Sequence, residues 1–568
     1  MGRSKNAQGN MEELAQNRSA AIKAHSANDW ETVLREVGMY LARGGTERRI
    51  FGLAMMAAAA TQRWEQVIFW AGPALTGAPL AELALERYLY GMALRETVRH
   101  VESAEALREA VCSAAAMQDR ELQRTALTLL GVEERILGRA AAAAAAYLEA
   151  ALLAAEKGDA KETAGQYSSY LLCGAIEDEA EFFRAHQGFG ELLRPLLPAP
   201  LPARAKDLGH KRLRLGILSA DFRQHVMFPF LYPLLVYHDR SRFELYCYAL
   251  NGAEDGHTAQ AKQQAEVWRE AAGLSPVALA ELLRQDEIDI VIDFSGHSLG
   301  SGLAALLLRP ALLQLSGLGY MATTGLKEID YFLTDGFLDP PGEGHEQFFA
   351  ERLLRLESHL CYTGRSDVPV PQGAPVKRKG FITFGVFNHY YKYTDEMLCV
   401  WRDILAAVPD SRLLLKCQLF ISASAVRMAY ERLERLGLPM ERVSFEPATF
   451  DYMERYLEVD IALDTYPYPG GGTTCDALYM GVPVVSRFGE SHGSRFGLSL
   501  LRNVGLGELC AATPEEYRAR ALMLAGDAEL LDALHRSLRG MAEKSPMMNG
   551  RRWTALLEQR LLEAWEIL

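Results

Sequence analysis

A chain of 568 residues is too long for a single hydrophobic core and is expected to fold as two to four domains. Hydrophobic residues make up 49% and charged residues 23%, an ordinary globular balance, while a formal net charge of −13 argues against a general nucleic-acid binder, which needs a basic face. Eight cysteines with no C-x-x-C pair form neither a zinc pattern nor a disulfide framework, so a reducing, cytoplasmic setting is expected. The opening "MGRSKNAQGNMEELAQ" lacks the apolar stretch of a signal peptide, and the alanine run at 140–146 is too short to span a membrane.

Residues 11–190 read as helix after helix, rich in Ala, Leu, Glu and Arg, with apolar residues three and four apart. Trp30 and Trp64 stand thirty-four residues apart in similar segments, which is the tetratricopeptide (TPR) period. Later segments fit that spacing only loosely. Stacked helix pairs of this kind present a concave face suited to extended partners. "LRPLLPAPLPARAK" then supplies four prolines, and 191–210 is read as a stiff linker.

Beyond it the pattern becomes short β-rich runs alternating with helical stretches, as in a parallel sheet with helices on both faces. "RLRLGILSAD", "FELYCYAL", "IDIVIDFSG", "LLQLSGLGY", "DYFLTD" and "ERLLRLE" are the strand candidates of a first Rossmann-like lobe over 211–365. A second proline-containing break, 366–380, precedes a second lobe over 381–550, with strands in "FITFGVF", "SRLLLK", "RVSFEP", "DIALDT" and "VPVVSR". The final 551–568 is amphipathic and reads as a packing helix. Two such lobes imply a cleft between them, and ligands of open α/β sheets lie outside the carboxyl ends of the strands.

The strand-end residues are therefore the candidate site. The first strand delivers Asp221 and His225, and a neutral imidazole can accept a proton near neutral pH. The strand "IDIVIDFSG", third in this reading, delivers Asp293 and His297, and "GLGYMATTG" brings Gly319 and Tyr320 to another exit, suited to close approach of a sugar or peptide. In the second lobe "FNHYYK" places Asn388, His389, Tyr391 and Lys392 after the opening strand, the lysine being a natural phosphate counter-ion. Tyr452 and Arg455 follow as base-stacking and anion-binding candidates. "YPYPGGGTTCDALYMG" is a strand–turn–helix in which Gly471, Gly472, Thr473 and Thr474 can turn backbone N–H groups toward an anion and Asp476 can accept from ribose hydroxyls. No D-x-D triplet occurs, so the charge of a nucleotide diphosphate would have to meet Lys392 and the helix start rather than a metal.

At these residues the chain resembles bacterial members of the O-linked N-acetylglucosamine (O-GlcNAc) transferase family, most clearly in "LRLGILSADFRQH", "DFSGHS…LRPALLQLSGLGY", "FNHYYK" and "DIALDTYPYPGGGTTCDALYMGVPVVS…GESHGSR". The resemblance implies TPR repeats followed by a GT-B fold, two Rossmann-like domains facing a cleft. It implies that Lys392 binds the diphosphate and stabilises departing UDP, that Thr473 and Thr474 form the phosphate-binding helix start, and that Asp476 holds the ribose. It also implies that His225 is an active-site base or acceptor-positioning group, that Tyr452 lies over the uracil, and that His389 lies beside it. The chain departs from the family at Met321, where proline is usual, in its three-glycine turn, and in lacking the large insert of animal relatives.

The expectation is thus an inverting, metal-independent transferase moving N-acetylglucosamine from UDP-GlcNAc to Ser or Thr of proteins, with no cofactor. His225, Lys392, Asp293 and Tyr391 are the catalytic candidates, and His297, Gly319 and Tyr320 the acceptor or sugar side. Protein acceptors would reach it over the concave helical face; nucleic acid and membrane are not expected partners. UDP-glucose or GDP-fucose as donor, Asn as acceptor, and a repeat scaffold with a degenerate transferase domain are the alternatives.

Overall fold

The computed structural model describes residues 2–174, 176–206, 209–365 and 367–568, so positions 207 and 208 of the first expected linker and 366 of the second lie outside the described residues. The helical part contains α1 (Gly2–Ser26), α2 (Trp30–Ala42), α3 (Arg48–Ala60), α4 (Trp64–Leu75), α5 (Ala84–Glu96), α6 (His100–Ala116), α7 (Arg120–Ile136), α8 (Ala140–Glu156), α9 (Ala160–Leu171) and α10 (Glu179–Leu193). Trp30 and Trp64 each open a helix.

Among the described residues of the helical part, seven of the connecting turns share one device. Asn28, Gly44, Gln62, Val98, Gln118, Gly138 and Gly158 take a left-handed conformation, with φ between 55° and 82°. The next residue then sends its N–H back to a carbonyl five positions earlier, as in Asp29 to Ala24 (2.9 Å), Arg63 to Ala58 (2.8 Å) and Arg99 to Leu94 (2.8 Å). This closes the preceding helix as a Schellman motif. Asp29, Asp119 and Asp159 also cap the following helix, their carboxylates accepting from Thr32, Leu122 and Glu162 N–H. One position fits poorly, because Val98 is β-branched and left-handed geometry costs such a residue about 1–2 kcal/mol. Val98→Gly is expected to stabilise the protein by about 0.5–1 kcal/mol, read as a higher urea midpoint. A lower midpoint would show that the packing of Val98 outweighs its strain.

The chain forms two compact units, Met1–Leu153 with Ile421–Met428, and Ala154–Phe420 with Ala429–Leu568. The core of the first is built on small residues, Ala54, Ala57, Ala58 and Ala74 being fully buried, around stacked Phe51 and Trp70 rings 6.2 Å apart. The second unit contains α9, α10 and two parallel sheets.

The first sheet consists of β1 (Leu213–Ser219), β2 (Phe243–Ala249), β3 (Val267–Glu270), β4 (Ile290–Asp293), β5 (Leu313–Ser316), β6 (Tyr331–Asp335) and β7 (Arg352–Leu356), in the order β3-β2-β1-β4-β5-β6-β7. The second consists of β8 (Thr383–Val386), β9 (Arg412–Lys416), β10 (Val443–Glu446), β11 (Ile461–Leu463), β12 (Val484–Arg487) and β13 (Cys510–Ala511), in the order β10-β9-β8-β11-β12-β13. The pairings are parallel throughout. Two edge strands escaped the sequence reading. β3 is short, half-exposed and carries charge, and β13 is two residues long. The strand ending at Asp293 is consequently the fourth rather than the third.

In each sheet the strand order reverses at one place, between β1 and β4 and between β8 and β11. Such a switch point opens a crevice at the carboxyl ends, where ligands of this architecture bind. Polar contacts, two of them buried, hold the lobes together. His492 Nδ1 lies 2.7 Å from Asp339 Oδ2, Ser499 Oγ donates to Asp335 Oδ2 at 2.5 Å, and Arg495 Nε donates to the Phe337 carbonyl at 2.9 Å. Despite burial, hydrogen bonds from His359 and Ser499 hold the Asp335 pKa down to about 2. The last helix, Gly550–Ile567, returns to the first lobe, where Trp553 Nε1 donates to the Ser358 carbonyl (3.1 Å) and Glu558 accepts from Asp239 N–H (2.7 Å).

Candidate active site

The β8/β11 crevice is organised by a carboxylate that sequence reasoning passed over. Asp464, directly after β11, is fully buried, and its Oδ1 accepts from Gly470 N–H (2.7 Å), Thr465 N–H (2.9 Å) and Asn388 Nδ2 (3.0 Å). Its Oδ2 accepts from Ser486 Oγ (2.8 Å). Burial raises its pKa; the hydrogen bonds and the charge of Lys392 work the other way. These bonds fold the glycine turn back onto the strand end and fix where the helix Gly472–Tyr479 begins. Asn388 completes the frame, donating to Thr465 Oγ1 (2.7 Å) and accepting from Thr473 Oγ1 (2.5 Å).

At two of the three glycines a side chain would meet a neighbour. A Cβ on Gly470 would run into the Thr473 hydroxyl, and one on Gly472 into the Val226 side chain of the first lobe. A Cβ on Gly471 would find its nearest neighbour, Phe496, at 3.9 Å. The contact between Gly472 and Val226 also sets the His225 loop directly against the glycine turn, across the cleft.

Lys392 reaches the same turn. Its Nζ donates to the Pro469 carbonyl at 2.9 Å and lies 3.6 Å from the centroid of the Tyr468 ring. The His389 and Tyr391 rings stack 5.3 Å apart at an interplanar angle of 11°, with Tyr468 6.2 Å from Tyr391. An ammonium group, a helix start with two threonines, and a set of flat rings thus converge on one crevice.

Asp476, on the second turn of that helix, is buried between two tyrosines. The Tyr362 hydroxyl donates to Oδ1 at 2.6 Å and the Tyr452 hydroxyl to Oδ2 at 2.8 Å. Burial raises the Asp476 pKa, and the two hydroxyls and Arg365 oppose it. Tyr452, expected over a base, is therefore joined to Asp476 through its hydroxyl. Arg455, expected to bind the anion, is instead committed to Glu446 by bonds of 2.7 and 3.0 Å. A neighbouring carboxylate satisfies that guanidinium before any ligand could.

On the first lobe His225 Nδ1 lies 3.1 Å from Asp221 Oδ1, and the side chain is about one-third exposed at the cleft (36%). Burial lowers its pKa, and the Asp221 charge pulls it back up. The Met227 N–H donates to the same Nδ1 at 3.3 Å, so the ring is held on that side by its own loop.

The remaining first-lobe candidates have structural work. Asp293, expected to be catalytic, is fully buried and accepts from Ser316 Oγ (2.8 Å), Gly296 N–H (2.8 Å) and Ser295 N–H (3.3 Å), tying β4 to β5; burial raises its pKa to about 6. His297, expected on the acceptor or sugar side, is also fully buried. It lies 2.9 Å from the Thr324 carbonyl through Nε2 and 3.0 Å from Ser168 Oγ on α9 through Nδ1, with burial lowering its pKa to about 3. Tyr320 Oη lies 2.9 Å from His186 Nε2 on α10, whose Nδ1 faces the Phe182 carbonyl at 2.7 Å. Gly319 passes so close to the Phe294 carbonyl that a Cβ would collide with it. His297, Gly319 and Tyr320 therefore form the seam that seats α9 and α10 on the first sheet. Their position after strands suggested the cleft; the docking of two helices from earlier in the chain buried them.

Met321, where the resemblance breaks, has its carbonyl 3.0 Å from the position a Gly493 Cβ would take, so it lies on the lobe–lobe contact. Asp464 could have been suspected as the last acid of "DIALDT". Nothing in "LCYTG" marks Tyr362.

The sequence pattern of the family described as Glycosyl transferase family 41 matches residues 201–364 and 357–557, which span both sheets. SPINDLY from Oryza sativa subsp. japonica, described as a "probable UDP-N-acetylglucosamine–peptide N-acetylglucosaminyltransferase", is 37% identical over 393 residues, covering 68% of this chain and 42% of that protein. SEC from Arabidopsis thaliana, described in the same words, is 30% identical over 386 residues, covering 65% of this chain and 39% of that protein. The chain thus spans about two fifths of the length of these curated relatives. A solved structure of a Thermobaculum terrenum O-GlcNAc transferase mutant is similar over 98% of both chains, with a TM-score of 0.76 and 28% identity.

Proposed function

The chain belongs to glycosyl transferase family 41, and from that premise we propose that it is an inverting protein glycosyltransferase using a UDP-sugar, UDP-GlcNAc first, and Ser or Thr hydroxyls as acceptors. One observation carries the reading: Lys392 and the Gly470–Thr474 turn meet at the β8/β11 switch point, directly across from the His225 loop, with Asp476 one turn further along the same helix.

In this reading the diphosphate sits at the start of the helix Gly472–Tyr479, where unpaired N–H groups and the helix dipole favour negative charge. Lys392 moves from the Pro469 carbonyl to the leaving phosphate oxygen, and Asp476 addresses the ribose. The acceptor oxygen attacks the anomeric carbon from the opposite face, and the bond from that carbon to the diphosphate oxygen breaks. His225 takes the acceptor proton, and UDP departs with the bonding electron pair. Lys392 and the helix start supply the positive charge that a divalent metal supplies in D-x-D enzymes, so the reaction proceeds without a metal.

The test is incubation with UDP-GlcNAc, UDP-glucose and GDP-fucose together with a Ser/Thr- and Asn-containing peptide library, read by mass spectrometry with and without EDTA. A HexNAc adduct on Ser or Thr, unaffected by EDTA, is the expected result. A deoxyhexose adduct would move the donor to GDP-fucose, a hexose on Asn would change sugar and acceptor, and loss of activity with EDTA would end the metal-free mechanism. Absence of any adduct would favour the scaffold alternative.

A further inference from the structure

Asp476 is held from two sides, and the two tyrosines are not equivalent. Tyr452 lies on the short helix Tyr452–Arg455 of the second lobe and is partly exposed. Tyr362 comes from the segment that leaves the first lobe after β7, 114 positions earlier in the chain than Asp476, and only 2% of it is exposed. Its backbone N–H donates to the Met547 carbonyl at 2.7 Å, and the next N–H, of Thr363, donates to the Pro229 carbonyl at 3.0 Å. Its ring packs near Phe230 (5.9 Å between centroids) and edge-on to Tyr479 (6.0 Å). Backbone and ring are therefore fixed before any ligand arrives, and the one hydroxyl of this rigid group is spent on Asp476 Oδ1 at 2.6 Å.

We propose that Tyr362 is a positioning residue for the donor nucleoside. Its hydroxyl fixes the Asp476 carboxylate in the rotamer that accepts from ribose hydroxyls, so that ribose recognition by the second lobe depends on a side chain delivered from the first. A carboxylate oxygen has two lone-pair directions, and one hydrogen bond from a preorganised donor leaves the other aimed at ligand. A ribose hydroxyl then meets an acceptor already desolvated and oriented, which is what makes such a bond selective rather than merely adhesive. This inference rests on the assignment of Asp476 to the ribose under the proposed function.

The experiment is calorimetric binding of UDP, 2′-deoxy-UDP and 3′-deoxy-UDP to the wild-type chain, Tyr362→Phe, Asp476→Asn and the double variant. Wild type is expected to prefer UDP over at least one deoxy analogue by about tenfold or more, the scale of a hydrogen bond to a charged group. Tyr362→Phe should weaken UDP by about tenfold while leaving that deoxy analogue nearly unchanged, and should raise KM for the donor more than it lowers kcat. A purely structural tyrosine would weaken all three ligands alike, and that result overturns the proposal. If Tyr362→Phe alone does not fold, Asp476→Asn and the double variant still decide, because removing both partners leaves no uncompensated buried charge. Equal UDP affinity in those two supports the proposal, and a further loss in the double variant overturns it. If Asp476→Asn keeps the wild-type preference for UDP, the ribose assignment itself falls. If Asp476→Asn loses the preference and Tyr362→Phe keeps it, only the role of Tyr362 falls.

Discussion

Lys392→Ala is expected to cripple transfer, with kcat/KM falling by about 10²–10³, the scale seen when one preorganised donor to developing negative charge is removed. The Nζ lies on the Pro469 carbonyl and over the Tyr468 ring, and the residue after Pro469 opens the glycine turn. In the proposed mechanism the negative charge on the leaving diphosphate is greatest as the bond to the anomeric carbon breaks, so the lysine would contribute most in the transition state. The loss should therefore appear mainly in kcat, with a smaller effect on donor KM. Lys392→Arg should not restore activity, because a planar fork cannot take the place of a compact ammonium packed on an aromatic face. Mass-spectrometric measurement of peptide glycosylation and of UDP release decides the matter; an unchanged rate in Lys392→Ala would refute the proposed mechanism.

His225→Ala should lower kcat by about 10²–10⁴, the usual contribution of a positioned general base. The pH dependence gives the sharper test. As the proposed base His225 would work only when neutral, and burial lowers its pKa from the ordinary 6.5 while Asp221 partly opposes the shift. Activity should therefore be full at neutral pH and fall as the pH drops through a value below 6.5. Asp221→Asn removes the charge that raises the histidine pKa, so the acid limb should move to still lower pH while the plateau falls through loss of orientation. In His225→Ala this limb should vanish. A kcat profile in which His225→Ala keeps both its plateau and its acid limb would reassign the base.

Much of the architecture was legible in the chain because its signals are local. Helical periodicity, the spacing of Trp30 and Trp64, the proline breaks and the short apolar runs each depend on residues within one element or one turn. The strand–glycine–helix segment at 470–474 was legible for the same reason, since the chemistry of a close backbone approach is carried by adjacent residues. The edge strands β3 and β13 were not legible, because a short, half-exposed or two-residue strand is defined by its partner rather than by its own pattern.

Local pattern alone identifies the strand-end loops and the ionisable and flexible residues they carry: Lys392, Asn388, the glycines and threonines, Asp476 and His225. Which of these face the cleft depends on the packed fold. Asp293, His297 and Tyr320 stand after strands just as His225 does, yet packing of α9 and α10 and bonds between β4 and β5 bury them. Arg455 is neutralised by Glu446, and Asp464 and Tyr362 gain their places from partners tens of residues or more away. The physical reason is that a side chain's availability for chemistry depends on burial and on competing hydrogen-bond partners. Both are set by contacts distant in sequence, which no local pattern encodes.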